Sequence, residues 1–251
     1  MTSTPVPAPE VPEMSSIGRV FGAVISPKAT FESIARRPTW LVPVILGSVL
    51  FIAAVAAISY RGGWPSYMQK QVEKSAQFQQ LPPDQQQRIL QTQIKYAPIG
   101  GYIEGVLFPA SGALLLAAIF MATFNTVLGT TLRFVTCLGV VSYAYIPRLI
   151  AGLLGILVIL LKDPTTIDVQ NLVASNVGSF MPEGTARWLV ALLGSLDIFS
   201  FWFMILLAIG FRAAAAPKKI SFGGSFATIL FLWGIFVLIK VGLASLGVAI
   251  S

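Results

Sequence analysis

Apolar residues in this chain gather into long, nearly unbroken runs. Five of them approach or exceed the roughly 20 residues that a helix needs to cross a bilayer core: 41–58, 105–128, 135–161, 188–211 and 225–250. Trp40, Tyr60, Trp64, Tyr102 and Trp188 stand near the run ends, where aromatic side chains collect at membrane interfaces. The polar positions concentrate between the first two runs, in residues 61–104. There Met68, Val72 and Ala76 recur four apart, Pro82–Pro83 forms a common helix entry, and Leu90 and Ile94 again lie four apart. That spacing predicts a helical hairpin with one weakly apolar face.

Ahead of the first run, Ile17, Val20, Phe21 and Val24 share one helical face. Pro27 interrupts the pattern, Phe31 with Ile34 begins a second short element, and Arg19, Lys28, Arg36 and Arg37 edge the apolar faces. Two amphipathic helices follow, which fit either the membrane interface or a position against the bundle. Residues 1–14 carry four prolines without apolar periodicity and read as a disordered tail. The predicted fold class is thus an all-α integral membrane protein. It is a bundle of five transmembrane helices over 15–251, with amphipathic N-terminal helices and a helical extracytoplasmic hairpin.

Composition sharpens this picture. Of 251 residues, 55% are hydrophobic and 11% charged, with a mean hydropathy of +0.79; soluble domains carry about 25% charged residues. The net charge of +7 lies mainly at run ends, which matches a positive-inside bias rather than a nucleic-acid surface. Histidine is absent and Cys137 is the one cysteine. Catalytic dyads built on histidine, internal disulfides and most transition-metal sites are therefore excluded. No catalytic, cofactor or metal residue is expected.

Orientation rests on local charge. Arg36 and Arg37 abut the first run, and Arg212, Lys218 and Lys219 crowd one short loop. Both features put the N-terminus in the cytoplasm and the C-terminus outside. Glu73, Asp84, Glu104, Asp163, Asp168 and Glu183 then fall on the outer side.

Arg148, Asp197 and Lys240 lie inside the runs. Charges in hydrocarbon are costly and are functional candidates by default. Asp197 lies nine residues beyond Trp188, and Lys240 ten residues before Ile250. At ~1.5 Å per residue the two have nearly equal depth on antiparallel helices, which predicts an ion pair. Arg148 directly follows Pro147. If the third span starts near Ser142, Arg148 lies ~9 Å from the boundary and can snorkel back. Residues 135–141 then form an interfacial lead-in, with Tyr143 and Tyr145 at the headgroups. If the helix is continuous from Phe134, Arg148 approaches Asp197 instead. Asn125 completes the set of intramembrane polar candidates.

Three segments carry a resemblance. SPKATFESIARRPTWLVPVIL (26–46) has a P-x-x-x-F-x-x-I pattern followed by P-x-x-x-x-P. SYAYIPRLIAGLLG (142–155) places tyrosines before a proline. LGSLDIFSFWFMILLAIGF (193–211) aligns Leu196, Asp197, Phe199, Trp202, Leu206 and Gly210 with an L-D-x-F-x-x-W-x-x-x-L-x-x-x-G span. In order and spacing they resemble the Yip family of Ypt/Rab-interacting integral membrane proteins, and more specifically its bacterial branch. The resemblance implies a five-span bundle with a cytoplasmic N-terminus. Among eukaryotic relatives it implies a non-enzymatic trafficking role through small GTPases, but no GTPase-binding surface is identifiable in this chain.

Function narrows to a few classes. A non-catalytic scaffold or adaptor fits best, with the lipid bilayer and a membrane or cytoplasmic protein as partners and no nucleic acid. An oligomer is compatible with this role. A small transporter or channel would use Asp197, Lys240 and Arg148. An intramembrane enzyme is disfavoured, because an aspartyl mechanism needs a second intramembrane acid and none is visible in the sequence.

Overall fold

Helix starts and stops set the architecture. The computed structural model describes residues 14–73, 76–167, 171–182, 184–216 and 218–246. The expected tail (1–14, save Met14), Lys74, Asp168 and Glu183 lie outside the described residues, as does the side chain of Glu73. Helix α1 (Ser16–Ile25) begins where the Gly18 N–H donates to Ser15 Oγ at 3.0 Å, and α2 (Pro27–Arg36) begins on proline. Both devices satisfy or remove amide groups that a first turn leaves free. Helix α3 (Leu41–Tyr60) is 20 residues long and stops before Gly62, whose φ of +62° suits glycine best.

The polar insert is built otherwise than expected. Helix α4 (Trp64–Glu73) and the short α5 (Ala76–Gln79) make one leg. The other leg is the start of α6, a single 45-residue helix from Pro83 to Val127. At ~1.5 Å per residue it is roughly 68 Å long, about twice the hydrocarbon thickness. The expected boundary at 105 is therefore not a break. Pro98, Pro109 and the Gly100–Gly101 pair are absorbed within the helix.

Helix α7 (Phe134–Ala144) and α8 (Ile146–Leu161) bend at Tyr145, and Pro147 occupies the first turn of α8, where a proline costs little. Together they make a 28-residue span. The stretch expected as a fourth span is split into α9 (Arg187–Gly194) and α10 (Ile198–Ala214). Helix α11 (Phe222–Ser245) closes the described chain. Among the described residues four helices are long and apolar enough to cross a membrane: α3, α6, the α7–α8 pair and α11. Among the described residues there is no strand, only an isolated bridge between Asn176 and Asp197.

The core sits around α7. Every residue from Thr136 to Ala144 is buried, enclosed by α2, α6 and α10. Phe31 and Ile34 of α2 are fully buried there, beside a stack of Phe120, Phe124 and Phe211 with centroids 4.5–6.5 Å apart. The expected interfacial lead-in at 135–141 is instead buried in the core from Thr136 onward. Of the two positions open to the N-terminal helices, α2 takes the one against the bundle. A second cluster joins Val55 and Ile58 of α3, Trp64 of α4, and Ile156 and Ile159 of α8.

Candidate functional site

The polar candidates fall into three places. The first is the junction under α1. Arg19 is buried, and its guanidinium donates to the Arg37 carbonyl (2.8 Å), Thr39 Oγ1 (2.9 Å) and Ser33 Oγ (3.0 Å). Thr39 Oγ1 lies 3.2 Å from Tyr143 Oη, and the Tyr143 O–H donates to the Ser16 carbonyl at 3.1 Å. Tyr143 is fully buried. It fastens α1 and the α2–α3 link to α7, and it does not sit at the headgroups.

The second place is the break between α9 and α10. Asp197 caps α10, accepting from the Ser200 amide (2.8 Å) and hydroxyl (2.7 Å) through Oδ2. Its Oδ1 accepts from Ser175 Oγ at 2.5 Å, and the Ile198 N–H donates to the Ser175 carbonyl. The expected Asp197–Lys240 pair does not form: among the described residues no ion pair joins them. The reason is local competition. A carboxylate at a helix N-terminus gains charge-assisted bonds from adjacent donors, and two serines lie within reach. Among the described residues Arg148 makes no ion pair with either Asp197 or Lys240.

The third place is a half-open cavity of about 700 Å³ between α6 and α8, floored by α3. Tyr145 and Arg148 line it, and Tyr145 also packs edge-on against Phe203 at 5.0 Å. Arg148 is exposed here and makes no bond to Asp197.

Glu104 lines the same cavity. Sequence reasoning assigned it to the outer segments, one residue before the expected second span. Its neighbour Gly105 packs on Phe51 and Ile52, halfway along α3, so Glu104 lies at span depth. The statement that no second intramembrane acid exists is corrected by this placement. The missing signal was helix continuity through Gly100–Gly101, which windows of hydrophobicity do not register.

Asn125 belongs to none of the three. Its Oδ1 accepts from Thr130 Oγ1 and the Leu132 amide, both at 2.8 Å, and its Nδ2 donates to the Leu132 carbonyl. It closes the α6–α7 turn.

Long apolar helices, with α2 buried among them and many exposed large apolar side chains, define a polytopic α-helical membrane protein. The family model of the Yip1 domain matches residues 21–243, and the chain belongs to that family, which is non-enzymatic. Comparison with curated proteins and with solved structures finds no match.

Proposed function

We propose that this protein is a non-catalytic scaffold that organises a membrane and holds a membrane or cytoplasmic protein partner. In this reading α9 and α10 together make a fifth crossing, the N-terminus is cytoplasmic and the C-terminus lies outside. The observation that carries it is the inverted face of α1. Its charge, Arg19, points into the protein, while Ile17, Phe21 and Ile25 are 65%, 64% and 81% exposed. A helix fixed by its polar side with its apolar side outward is suited to enter one leaflet. The deep polar groups support the same reading, because Asp197, Asn125 and Tyr143 are all engaged in holding backbone and helices.

The test is a polarity-sensitive dye on a cysteine at position 21, in proteoliposomes. A blue-shifted emission that reverts when the lipid is replaced by amphipol is expected. An emission reporting water in both settings defeats the reading. Transport is the second reading, favoured by the helix break at Asp197, since broken helices form midplane sites in transporters. Ion or solute flux that vanishes in folded Asp197→Asn would establish transport in place of the scaffold.

A further inference from the structure

The cavity between α6 and α8 has the dimensions and the charges of a lipid site. It follows α3 from Pro43 to Ile58, roughly 22 Å at 1.5 Å per residue. Its volume lies in the range of small-molecule pockets, which run to about 1,000 Å³. The walls are mostly apolar, with Leu50, Phe51 and Phe108 among them. Three wall positions, Gly100, Gly112 and Gly152, have nothing within 4 Å of where a Cβ would stand. A trough of this kind in a bilayer is filled by hydrocarbon, because no other component there matches it.

The charges specify what the hydrocarbon is attached to. Leu149 and Pro109 meet α3 at Gly47, and Gly105 meets it at Phe51–Ile52. Arg148 and Glu104 therefore stand about five residues apart along the axis, roughly 7 Å. Both line the cavity, and among the described residues neither is in an ion pair. Ser142, about a turn and a half before Arg148 on the same cavity wall, is 2% exposed, and its Oγ is buried without a hydrogen-bond partner. A guanidinium and a spare hydroxyl suit a phosphate. A carboxylate one to two turns away suits a primary amine.

We propose that this groove holds one zwitterionic phospholipid of the ethanolamine class. The phosphate lies on Arg148 and Ser142, the amine faces Glu104, and an acyl chain occupies the trough toward Trp64 and Met68. Such an occupant neutralises both charges at span depth, where leaving them unpaired is costly. The inference goes beyond the scaffold reading and does not depend on what α1 does.

Native mass spectrometry of the intact protein tests it, after exchange into detergent with equal amounts of phosphatidylethanolamine, phosphatidylcholine and phosphatidylglycerol. The wild type is expected to retain one phosphatidylethanolamine in at least five-fold preference. Arg148→Gln should lower retention of all three lipids about ten-fold. Glu104→Gln should abolish the preference for ethanolamine over glycerol headgroups. Gly112→Leu and Gly152→Leu fill open space and should expel the lipid from a folded protein. Lys240→Met, outside the groove, should change nothing. Equal retention of the three lipids by the wild type overturns the proposal. So does undiminished retention in both glycine variants, which decides the matter even if Arg148→Gln fails to fold.

Discussion

Removing the Asp197 carboxylate distinguishes a helix cap from an intramembrane ion pair. Asp197→Ala deletes an N-cap, which costs ~1 kcal/mol. It also strands the hydroxyl of Ser200, a residue 7% exposed, and an unsatisfied buried donor costs about 1–3 kcal/mol. The expected loss is roughly 2–4 kcal/mol, most of it recovered as coupling within the cap. A double-mutant cycle of Asp197→Ala with Ser200→Ala should therefore give an interaction of about 1–3 kcal/mol. The cycle with Lys240→Met should give less than about 0.5 kcal/mol, because no ion pair joins the two side chains. Unfolding by sodium dodecyl sulfate titration in dodecyl maltoside micelles, followed by far-ultraviolet circular dichroism, supplies the four free energies of each cycle. A coupling above about 1 kcal/mol between Asp197 and Lys240 would refute the cap assignment.

Further expectations follow from the junction, the core and the loop after α8. Arg19→Ala should destabilise by about 2–4 kcal/mol, because hydrogen bonds to a charged donor are lost and buried acceptors are left unmet. Arg19→Lys should rescue little of this, since an ammonium cannot reproduce the planar fork; proteolysis within α1 reports both. Gly210→Ala puts a Cβ 2.5 Å from Val140 Cγ1 and 2.8 Å from Phe31 Cδ1, an overpacking worth about 1–3 kcal/mol that should detach α2. Gly112→Ala meets nothing and should stabilise by ~0.5–1 kcal/mol through helix propensity. In the loop after α8, hydrogen bonds from the Thr165 hydroxyl and amide hold the Asp163 carboxyl below its ordinary range, with Arg61 adding to the effect. A depressed value means the contribution is complete above the ordinary aspartate pKa and fades as pH falls through the lowered one. Thr165 amide protection in hydrogen exchange should thus persist at pH 4 and disappear only below it.

The spans at 41–58 and 225–250 were legible because hydrophobicity alone decides them, and α3 and α11 fall where those runs lie. The family was legible because its pattern depends on residues such as Pro27, Phe31 and Gly210, whose spacing survives in one dimension. Asp197 was found but its partner was not. Equal depth suggested Lys240, whereas the donor is Ser175, brought in by a loop that no periodicity describes. Glu104 was hidden because a window of hydrophobicity ends where charge begins, while the helix does not. Arg19 reads in the sequence as a basic edge to the apolar face of its own helix, and the structure buries it. An arginine beside an apolar face looks like a solvated edge, and only packing shows that the face turns outward.

The burial of α2 imposes an order on synthesis. Phe31 packs against Gly210, which follows it by about 180 residues. At roughly 5–20 residues per second, α2 leaves the ribosome about 10–40 s before that surface exists. During this interval its apolar stripe needs a host, and the adjacent bilayer surface offers one. Helix α2 thus reaches its buried place only after α7 and α10 have both been made, while α1 keeps Ile17 and Phe21 exposed.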